Sequence, residues 1–459
     1  MKNDYYDGLN IKLYESIPKN SLKILELGCA NGRLGELYKK NNPETKWIGI
    51  DFSEAALNEA SNRLDHTFCI NLNKEKLQEK NIGKDYDVIV MGNVLEHLVD
   101  PEAILEELHE LASPNGKIIC CLPNMGHYTV VQKIISGDIT YDANGLLDRT
   151  HLRLYSQASS FKLFLDAGWI PNLKDQYQFG PPASDFLNGI AHSAKSIGIP
   201  LKTALRNLSM YQMIIECKKR EKVKKVDSIA TLKISVVIAV NREWEFEENI
   251  KKSIGLTEID AEIIPVRDAK SASEAFETGK LISNNEYILF THQDVYFPKG
   301  SGFALLGELK KMEEENGKNF GVMGFAGLGK LGSGETVHTG FVIDRVSLFN
   351  HKIVDHIISI DEFAVVLHRN SQLKIDESLG WHNWATDLCI QTMNNCTNST
   401  YSKIMDVPVF HNSLNDYTLS NEFYKSAAIL FEKYPDLKNI ETLCCQINED
   451  VLKKNINYF

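Results

Sequence analysis

At 459 residues the chain is longer than one hydrophobic core normally supports, so two domains of ordinary size are expected. Its composition, 43% hydrophobic and 24% charged, is that of a globular protein. A formal net charge of −11 argues against the clustered Lys and Arg with which a protein wraps nucleic acid, so no nucleic-acid partner is expected. Nucleotide ligands stay open, because local dipoles and metal ions bind those.

In chain order, the opening MKNDYYDGLN has no apolar stretch of the export type. LKILELG reads as a buried strand, followed by a Gly-rich turn and a helix through Leu37. KWIGIDF is a second strand, and Ser53 is placed to cap the helix EAALNEASNRL. YDVIVMG is a third. Asp100 and Pro101 then open a helix with Ile104, Leu105, Leu108, Leu111 and Ala112 on one face. GKIICCLP is a fourth strand. Strands alternating with helices predict a mostly parallel, doubly wound sheet. The segment Phe179 to Leu208 reads as an insertion that either caps a substrate pocket or covers the sheet, before a last strand YQMIIEC.

A basic run, Lys218 to Ser228, follows; six of its first eight residues are Lys or Arg. It reads as a solvated linker. The second half starts again with ISVVIAV, a strand covered on both faces, then AEIIPVRD, EYILFTHQD and FGVMGFAG. Phe303, Leu305, Leu306, Leu309 and Met312 line one helix face between them. Nine scattered cysteines without a CxxC pair, and no apolar run near the ~20 residues that span a bilayer, predict a reduced, cytoplasmic chain without a transmembrane segment.

Chemistry concentrates at strand ends. ELGCANG, Glu26 to Gly32, joins a strand to a helix, and its glycines let backbone turn sharply against a ligand. Asp51 ends the next strand, 19 residues beyond Gly32, where a carboxylate can accept hydrogen bonds from ribose hydroxyls. A dinucleotide site would want GxGxxG, but Arg33 follows Gly32 and the third Gly is missing.

ILELGCANGRLGELY, IGIDFSEAALNEA, YDVIVMGNVLEHLVDPEAILEELHELASPNGKIICCLPN and DRTHLRLYS resemble class I S-adenosylmethionine-dependent methyltransferases, particularly the ubiquinone-biosynthesis-like O-methyltransferases. The resemblance runs from Ile24 to Ser156, with a weaker tail to Cys217. It implies that Glu26, Gly28, Cys29, Asn31 and Gly32 face the methionine part of S-adenosylmethionine. It implies Asp51 at the ribose with Phe52 beside it, Asn71 near the adenine, and Asn93 beside the methyl donor. Asn71 departs from the Asp common in the family. Methyl transfer to a hydroxyl wants a general base, and His suits neutral pH. His97, His127 and His151 are the candidates; His151 is preferred, with Asp148 orienting it or with His151 on the cofactor carboxylate instead. Glu96 and His97 are alternatively ligands of a metal that holds a diol acceptor.

In the second half, EYILFTHQDVYFP runs an apolar strand into His292, Gln293 and Asp294. A carboxylate there can hold a divalent cation, Mn or Mg, that neutralises a diphosphate. The stretch Ile234 to Ser413 resembles the inverting, family 2-like glycosyltransferases of the GT-A fold. The resemblance implies nucleotide-sugar contacts at Val240, Asp268, His292, Gln293 and Asp294. It implies metal ligands Asp294 and His411, with His292 or Gln293 second to Asp294, and Asp387 as the acceptor base, with Glu362 a further acceptor-site residue. Trp381 and Trp384 are candidates to stack on a sugar. Family members carry Asp-x-Asp where His292-Gln293-Asp294 stands, so one carboxylate is replaced.

The expected architecture is therefore α/β in two domains: residues 1–218 a doubly wound, Rossmann-like methyltransferase, 219–231 a basic linker, and 232–459 a GT-A-like domain. The expected function is a bifunctional glycan-modifying enzyme of bacterial surface polysaccharide synthesis. It would take a nucleotide sugar and a glycan acceptor, in peripheral association with glycan-assembly machinery. Two alternatives stay open: a methyltransferase with a non-catalytic sugar-binding module, or a glycosyltransferase with a regulatory S-adenosylmethionine-binding domain.

Overall fold

Ile24, Leu25 and Leu27 alternate in direction along one strand, yet all three are fully buried. That pattern belongs to a central strand covered on both faces. In the computed structural model, which describes residues 9–178, 184–221, 232–317, 320–345, 347–394, 401–414 and 419–455, this strand is β1 (Lys23–Leu27). The chain divides into two units, Met1–Glu221 with Leu414–Asp416, and Lys222–Ser413 with Tyr417–Phe459. The division falls inside the stretch read as a linker, of which residues 222–231 lie outside the described residues.

The first unit adds β2 (Lys46–Asp51), β3 (His66–Cys69), β4 (Tyr86–Gly92), β5 (Ala112–Pro123), β6 (Trp169–Tyr177) and β7 (Gln212–Lys219). Their order in one seven-stranded sheet is β3-β2-β1-β4-β5-β7-β6. The first five are parallel, and β7 runs antiparallel to both β5 and β6. Leu34, Tyr38, Leu57 and Ala60 from the helices Arg33–Asn41 and Glu54–Ala60 pack against Ile24, Val88, Val90 and Ile119 on one face. The Ser53 hydroxyl accepts from the Ala56 N–H, and the Asp100 carboxylate from the Ala103 N–H, so both helix starts lie where capping chemistry put them. The helix Pro101–Leu111 buries Ile104, Leu105, Leu108 and Leu111.

Two strands of this unit carried no sequence signal. β3 is an edge strand without a buried residue, and β6 combines Pro171 with charged and polar residues. Both exist because a neighbour supplies the ladder. Helices Ser184–Ser196 and Leu201–Ser209 occupy most of the segment read as an insertion; its start, 179–183, lies outside the described residues.

The second unit holds β8 (Ile234–Val240), β9 (Glu262–Arg267), β10 (Tyr287–His292), β11 (Val295–Tyr296), β12 (Met323–Gly324), β13 (Ala326–Lys330), β14 (Thr336–Asp344), β15 (Leu348–His351), β16 (His356–Ile360), β17 (Ala364–His368), β18 (Lys403–Ile404) and β19 (Phe410–His411). One sheet runs β18-β12-β17-β10-β8-β9, with β9, β8 and β10 parallel and β17 antiparallel to β10. The other runs β11-β19-β14-β13-β16, with β15 on β14. FGVMGFAG, read as one strand, breaks at Phe325 into β12 and β13, which serve different sheets. Phe325 itself is fully buried in the unit's core. The helix Ser301–Asn316 buries Leu305, Leu306, Leu309 and Met312, whereas Phe303 is only partly buried against the same core.

Candidate functional site

In the first unit the sheet order reverses between β1 and β4, so loops leaving their carboxyl ends diverge and open a crevice. The turn after β1 is built for close backbone approach. Gly28, Ala30 and Gly32 all have positive φ, at 69°, 48° and 78°. A Cβ on Gly28 would stand 2.7 Å from the Val94 side chain. The Gly28 and Cys29 N–H groups donate to the Ile50 carbonyl, which anchors the turn to the end of β2.

Asp51 ends β2 beside this turn and is buried. One carboxylate oxygen accepts from the Ala30 N–H and the other from the Ser53 N–H, each at 2.9 Å. Each oxygen keeps a further lone pair for a ligand hydroxyl. Glu26 lies on β1 two residues before Gly28, its Oε2 accepting from Trp47 Nε1 at 2.9 Å, and burial pushes its carboxyl up to about 8. A cleft of about 1130 Å³ opens here, lined by all nine expected cofactor contacts except Gly32. Gly32 instead opens the helix Arg33–Asn41 as its left-handed cap. Phe52 stands at the cleft largely exposed, and Cys29 lines it although its side chain is buried.

Three chemistry-bearing side chains converge on the same cleft. The ligand atoms of Glu96, His97 and His151 lie within 4.8 Å of one another. His97 Nδ1 lies 3.1 Å from the Thr150 carbonyl, and His151 Nδ1 2.9 Å from the Leu146 carbonyl. A carbonyl only accepts, so each Nδ1 carries a proton, and the neutral form of each ring has its lone pair on Nε2. Asn93, at φ 58°, donates from Nδ2 to Glu96 Oε1 at 2.9 Å. Glu96 is fully buried, its Oε2 has no partner among the described residues, and burial pushes its carboxyl up to about 7. Burial lowers His97 below its ordinary value, against the pull of the Thr150 carbonyl.

Two expectations need correction here. Asp148 does not orient His151: its Oδ1 accepts from the Thr150 N–H and hydroxyl, and the imidazole is held by Leu146 instead. His127 is fully buried and caps the helix Tyr128–Ser136, outside the cleft lining, so it is no base. Asn71 lines the cleft, with its Oδ1 accepting from the Asn73 N–H in a local turn. Leu9, Asn10, Gly145 and Tyr211 also line the cleft and went unread, because no local pattern marks residues that meet a site only through packing.

In the second unit, pairing of β11 with β19 sets Val295 opposite His411, and parallel pairing of β14 with β19 sets Asp344 opposite His411. His411 is thereby held between carboxylates, Nε2 3.6 Å from Asp294 Oδ1 and Nδ1 3.6 Å from Asp344 Oδ2. Burial opposes its charge, but the facing Asp294 and Asp344 outweigh this and push His411 up to about 9. Burial raises Asp294, yet His411 and His292 outweigh it and hold that carboxyl well below the usual carboxylate range. His292, Asp294 and His411 present ligand atoms within 4.8 Å of one another, a set of N and O donors that suits a divalent cation. Of the two residues offered as second ligand to Asp294, His292 rather than Gln293 stands with Asp294 and His411, and Asp344 is the neighbour that sequence reading missed.

The remaining expectations for this unit divide. Gln293 is not free for a ligand: its Oε1 accepts from the Asn241 and Arg242 N–H groups, and its Nε2 donates to Asn241 and Glu245. Val240 ends β8 with its side chain in the core, which leaves only backbone to face a ligand. Asp268 is exposed just beyond β9 at φ 60°. Asp387 is fully buried, with Oδ2 accepting from Lys433 at 2.9 Å and Gln391 at 2.7 Å and Oδ1 from the Tyr434 hydroxyl at 2.7 Å. That carboxylate ties two helices together and is sealed from any acceptor hydroxyl, so it cannot be the base. Trp384 is core, packed on Phe290, whereas Trp381 is exposed.

Comparison with known proteins bears on the first unit. Residues 25–118, the span from β1 into β5 that carries the Gly-rich turn and Asp51, match a family described as a methyltransferase domain. The ubiquinone biosynthesis O-methyltransferase of Acinetobacter baylyi is 24% identical over 120 residues, 25% of this chain and 50% of that protein. The malonyl-[acyl-carrier protein] O-methyltransferase of Alcanivorax borkumensis is 25% identical over 126 residues, 26% of this chain and 41% of that protein. The chain spans about half the length, or less, of these curated relatives. A SAM dependent methyltransferase structure from Archaeoglobus fulgidus aligns at 15% identity with a TM-score of 0.34, over 47% of this chain and 97% of that one. The first unit therefore carries a methyltransferase domain in a Rossmann-like α/β sheet. Among the described residues no helix is long and apolar enough to cross a membrane.

Proposed function

We propose that the first unit binds S-adenosylmethionine in the β1/β4 crevice and methylates an acceptor oxygen. The observation that carries this is the pairing of the positive-φ turn at Gly28 with the buried Asp51 at adjacent strand ends. The Gly28 turn leaves room for ligand against backbone, and Asp51 offers lone pairs to ribose hydroxyls. The bound donor supplies a methyl group on a sulfonium, and the protein's work is to hold the acceptor in line and take its proton. His151 suits that work, because its Nδ1–H is committed to Leu146 and its Nε2 lone pair is available. Calorimetric titration with S-adenosylhomocysteine tests the reading. Binding by the intact protein that is lost in Asp51→Ala is expected; no binding to the folded protein refutes it.

A second reading of the acceptor chemistry rests on the unpartnered Glu96 oxygen beside His97 and His151. A cation held by those three would activate a diol acceptor in place of a free His151 base. Methyl transfer abolished by chelation and restored by Mn or Mg favours it; activity indifferent to chelators rejects it.

For residues 232–459 the reading is glycosyl transfer from a nucleotide sugar, supported by the resemblance and by the His292–Asp294–His411 cluster at the end of β10. Those three residues would hold a cation, and the cation would neutralise the donor diphosphate. With residues 1–218 as methyltransferase and 219–231 as linker, the chain would both glycosylate and methylate one bacterial surface glycan. Tethering raises the effective concentration of one product at the other site. Mn-dependent release of nucleoside diphosphate from sugar nucleotides, lost in Asp294→Ala, is the expected result. Retained acceptor binding without release would make the unit a sugar-binding module.

A further inference from the structure

The burial of Asp387 leaves the second unit without its expected base, and the structure offers a carboxylate in a better place. We propose that Glu362 takes the proton from the acceptor hydroxyl in the second unit, an inference that rests on the glycosyltransferase reading of that unit. Glu362 sits in the short corner between β16 and β17, which the Asp361 side chain shapes by accepting from the Phe363 N–H at 3.1 Å. The Phe363 carbonyl accepts from the His292 N–H at 2.7 Å and from the Thr291 hydroxyl at 3.0 Å. The Phe363 ring lies nearly flat on His411, with centroids 5.0 Å apart and planes 20° from parallel. Glu362 is thus the immediate chain neighbour of the side chain that walls the His292–Asp294–His411 cluster.

The carboxylate is held but not used up. Its Oε1 accepts from the Asn383 N–H at 3.1 Å, and Asn383 presents that N–H from a left-handed backbone at φ 60°. His382 Nδ1 stands 4.0 Å from the same oxygen. Oε2 has no hydrogen-bond partner among the described residues and is itself shielded from solvent; the 20% of the side chain that stays open lies on its other atoms. One oxygen anchored and one unsatisfied is the arrangement a positioned base needs. Burial, with the neighbouring Asp361 charge, pushes the carboxyl up to about 8, which makes its anion a stronger base than a solvated glutamate.

The step balances within the reaction. The acceptor O–H proton passes to Glu362 Oε2, and the oxygen's electron pair forms the new bond to the anomeric carbon. The bond from that carbon to the diphosphate breaks, and its electrons leave with the nucleoside diphosphate. Inversion at the anomeric carbon follows from attack opposite the leaving group.

The test uses the full chain with Mn, UDP-glucose, UDP-galactose, GDP-mannose and dTDP-glucose as donors, and water or p-nitrophenyl glycosides as acceptors. Nucleoside diphosphate release gives turnover, and calorimetry with UDP and GDP gives nucleotide affinity. Glu362→Gln should lower kcat at least 100-fold with nucleotide affinity unchanged, and Glu362→Asp should recover part of the loss. The wild-type rate should climb with pH toward about 8 as the base ionises, and that limb should vanish in Glu362→Gln. A Glu362→Gln protein that binds UDP or GDP normally and turns over within threefold of wild type overturns the assignment while leaving the glycosyltransferase reading intact. Wild-type protein that binds nucleotide yet releases none is a binding module, which overturns the assignment too. No binding of UDP or GDP at all removes the glycosyltransferase reading itself.

Discussion

Glu26 stores a pH dependence that can be measured without knowing any substrate. The residue is 6% exposed, and its carboxyl takes one hydrogen bond from Trp47. Burial raises it from its ordinary 4.5 to about 8, helped by the Asp51 charge and opposed by Trp47. Below about pH 4.5 it is neutral in folded and unfolded chain alike and contributes no pH dependence. Between 4.5 and about 8 the unfolded chain ionises while the folded site holds its proton, so stability falls as pH rises. Above about 8 the folded site carries the charge and the loss is complete. At about 1.36 kcal/mol per pH unit, the loss is on the order of 4–5 kcal/mol as an upper bound. Glu26→Gln keeps a carbonyl oxygen for Trp47 and cannot ionise. The two units need not unfold together, so the readout should be local: hydrogen exchange of β1 and β2 amides, wild type against variant at matched pH. The variant should match wild type near pH 5 and exceed its opening free energy by one to several kcal/mol at pH 8.5. Parallel pH profiles for the two proteins would refute the argument.

Other outcomes follow from the same geometry. Gly28→Ala combines a left-handed φ with a Cβ 2.7 Å from Val94, so it should lower first-unit stability by about 1–3 kcal/mol and abolish S-adenosylhomocysteine binding in calorimetry. Asp387→Ala leaves Lys433 and Tyr434 without their buried acceptor; a loss of about 3–5 kcal/mol in second-unit stability should appear in urea unfolding, with the first unit unaffected. Ser53→Ala removes a helix cap and should cost about 1 kcal/mol by the same measurement on the first unit. His151→Ala should reduce methyl transfer by about 10²–10⁴-fold while S-adenosylhomocysteine still binds, and His127→Gln should leave the rate near wild type.

Local pattern was enough for much of this protein. LKILELG, YDVIVMG and ISVVIAV are apolar on both faces, which only a covered central strand satisfies, and they became β1, β4 and β8. Ser53 and Asp100 marked helix starts because capping is settled within four residues. The Gly28 turn and Asp51 could be read as a pair because parallel strand–helix units bring successive strand ends to one edge. Tertiary structure decided what depends on distant neighbours. β3 and β6 formed where a ladder was offered rather than where propensity asked for one. His151 received its tautomer from the Leu146 carbonyl, not from the acidic residue nearest to hand. His411 met Asp294 and Asp344 only through the pairing of β19 with β11 and β14. Asp387 and Glu362 make the contrast sharpest: both are carboxylates in plausible words of sequence, and only packing shows that Lys433, Gln391 and Tyr434 saturate one while the other keeps an oxygen unpaired. A sequence records which groups can donate or accept; which of them are already satisfied is a property of the folded chain.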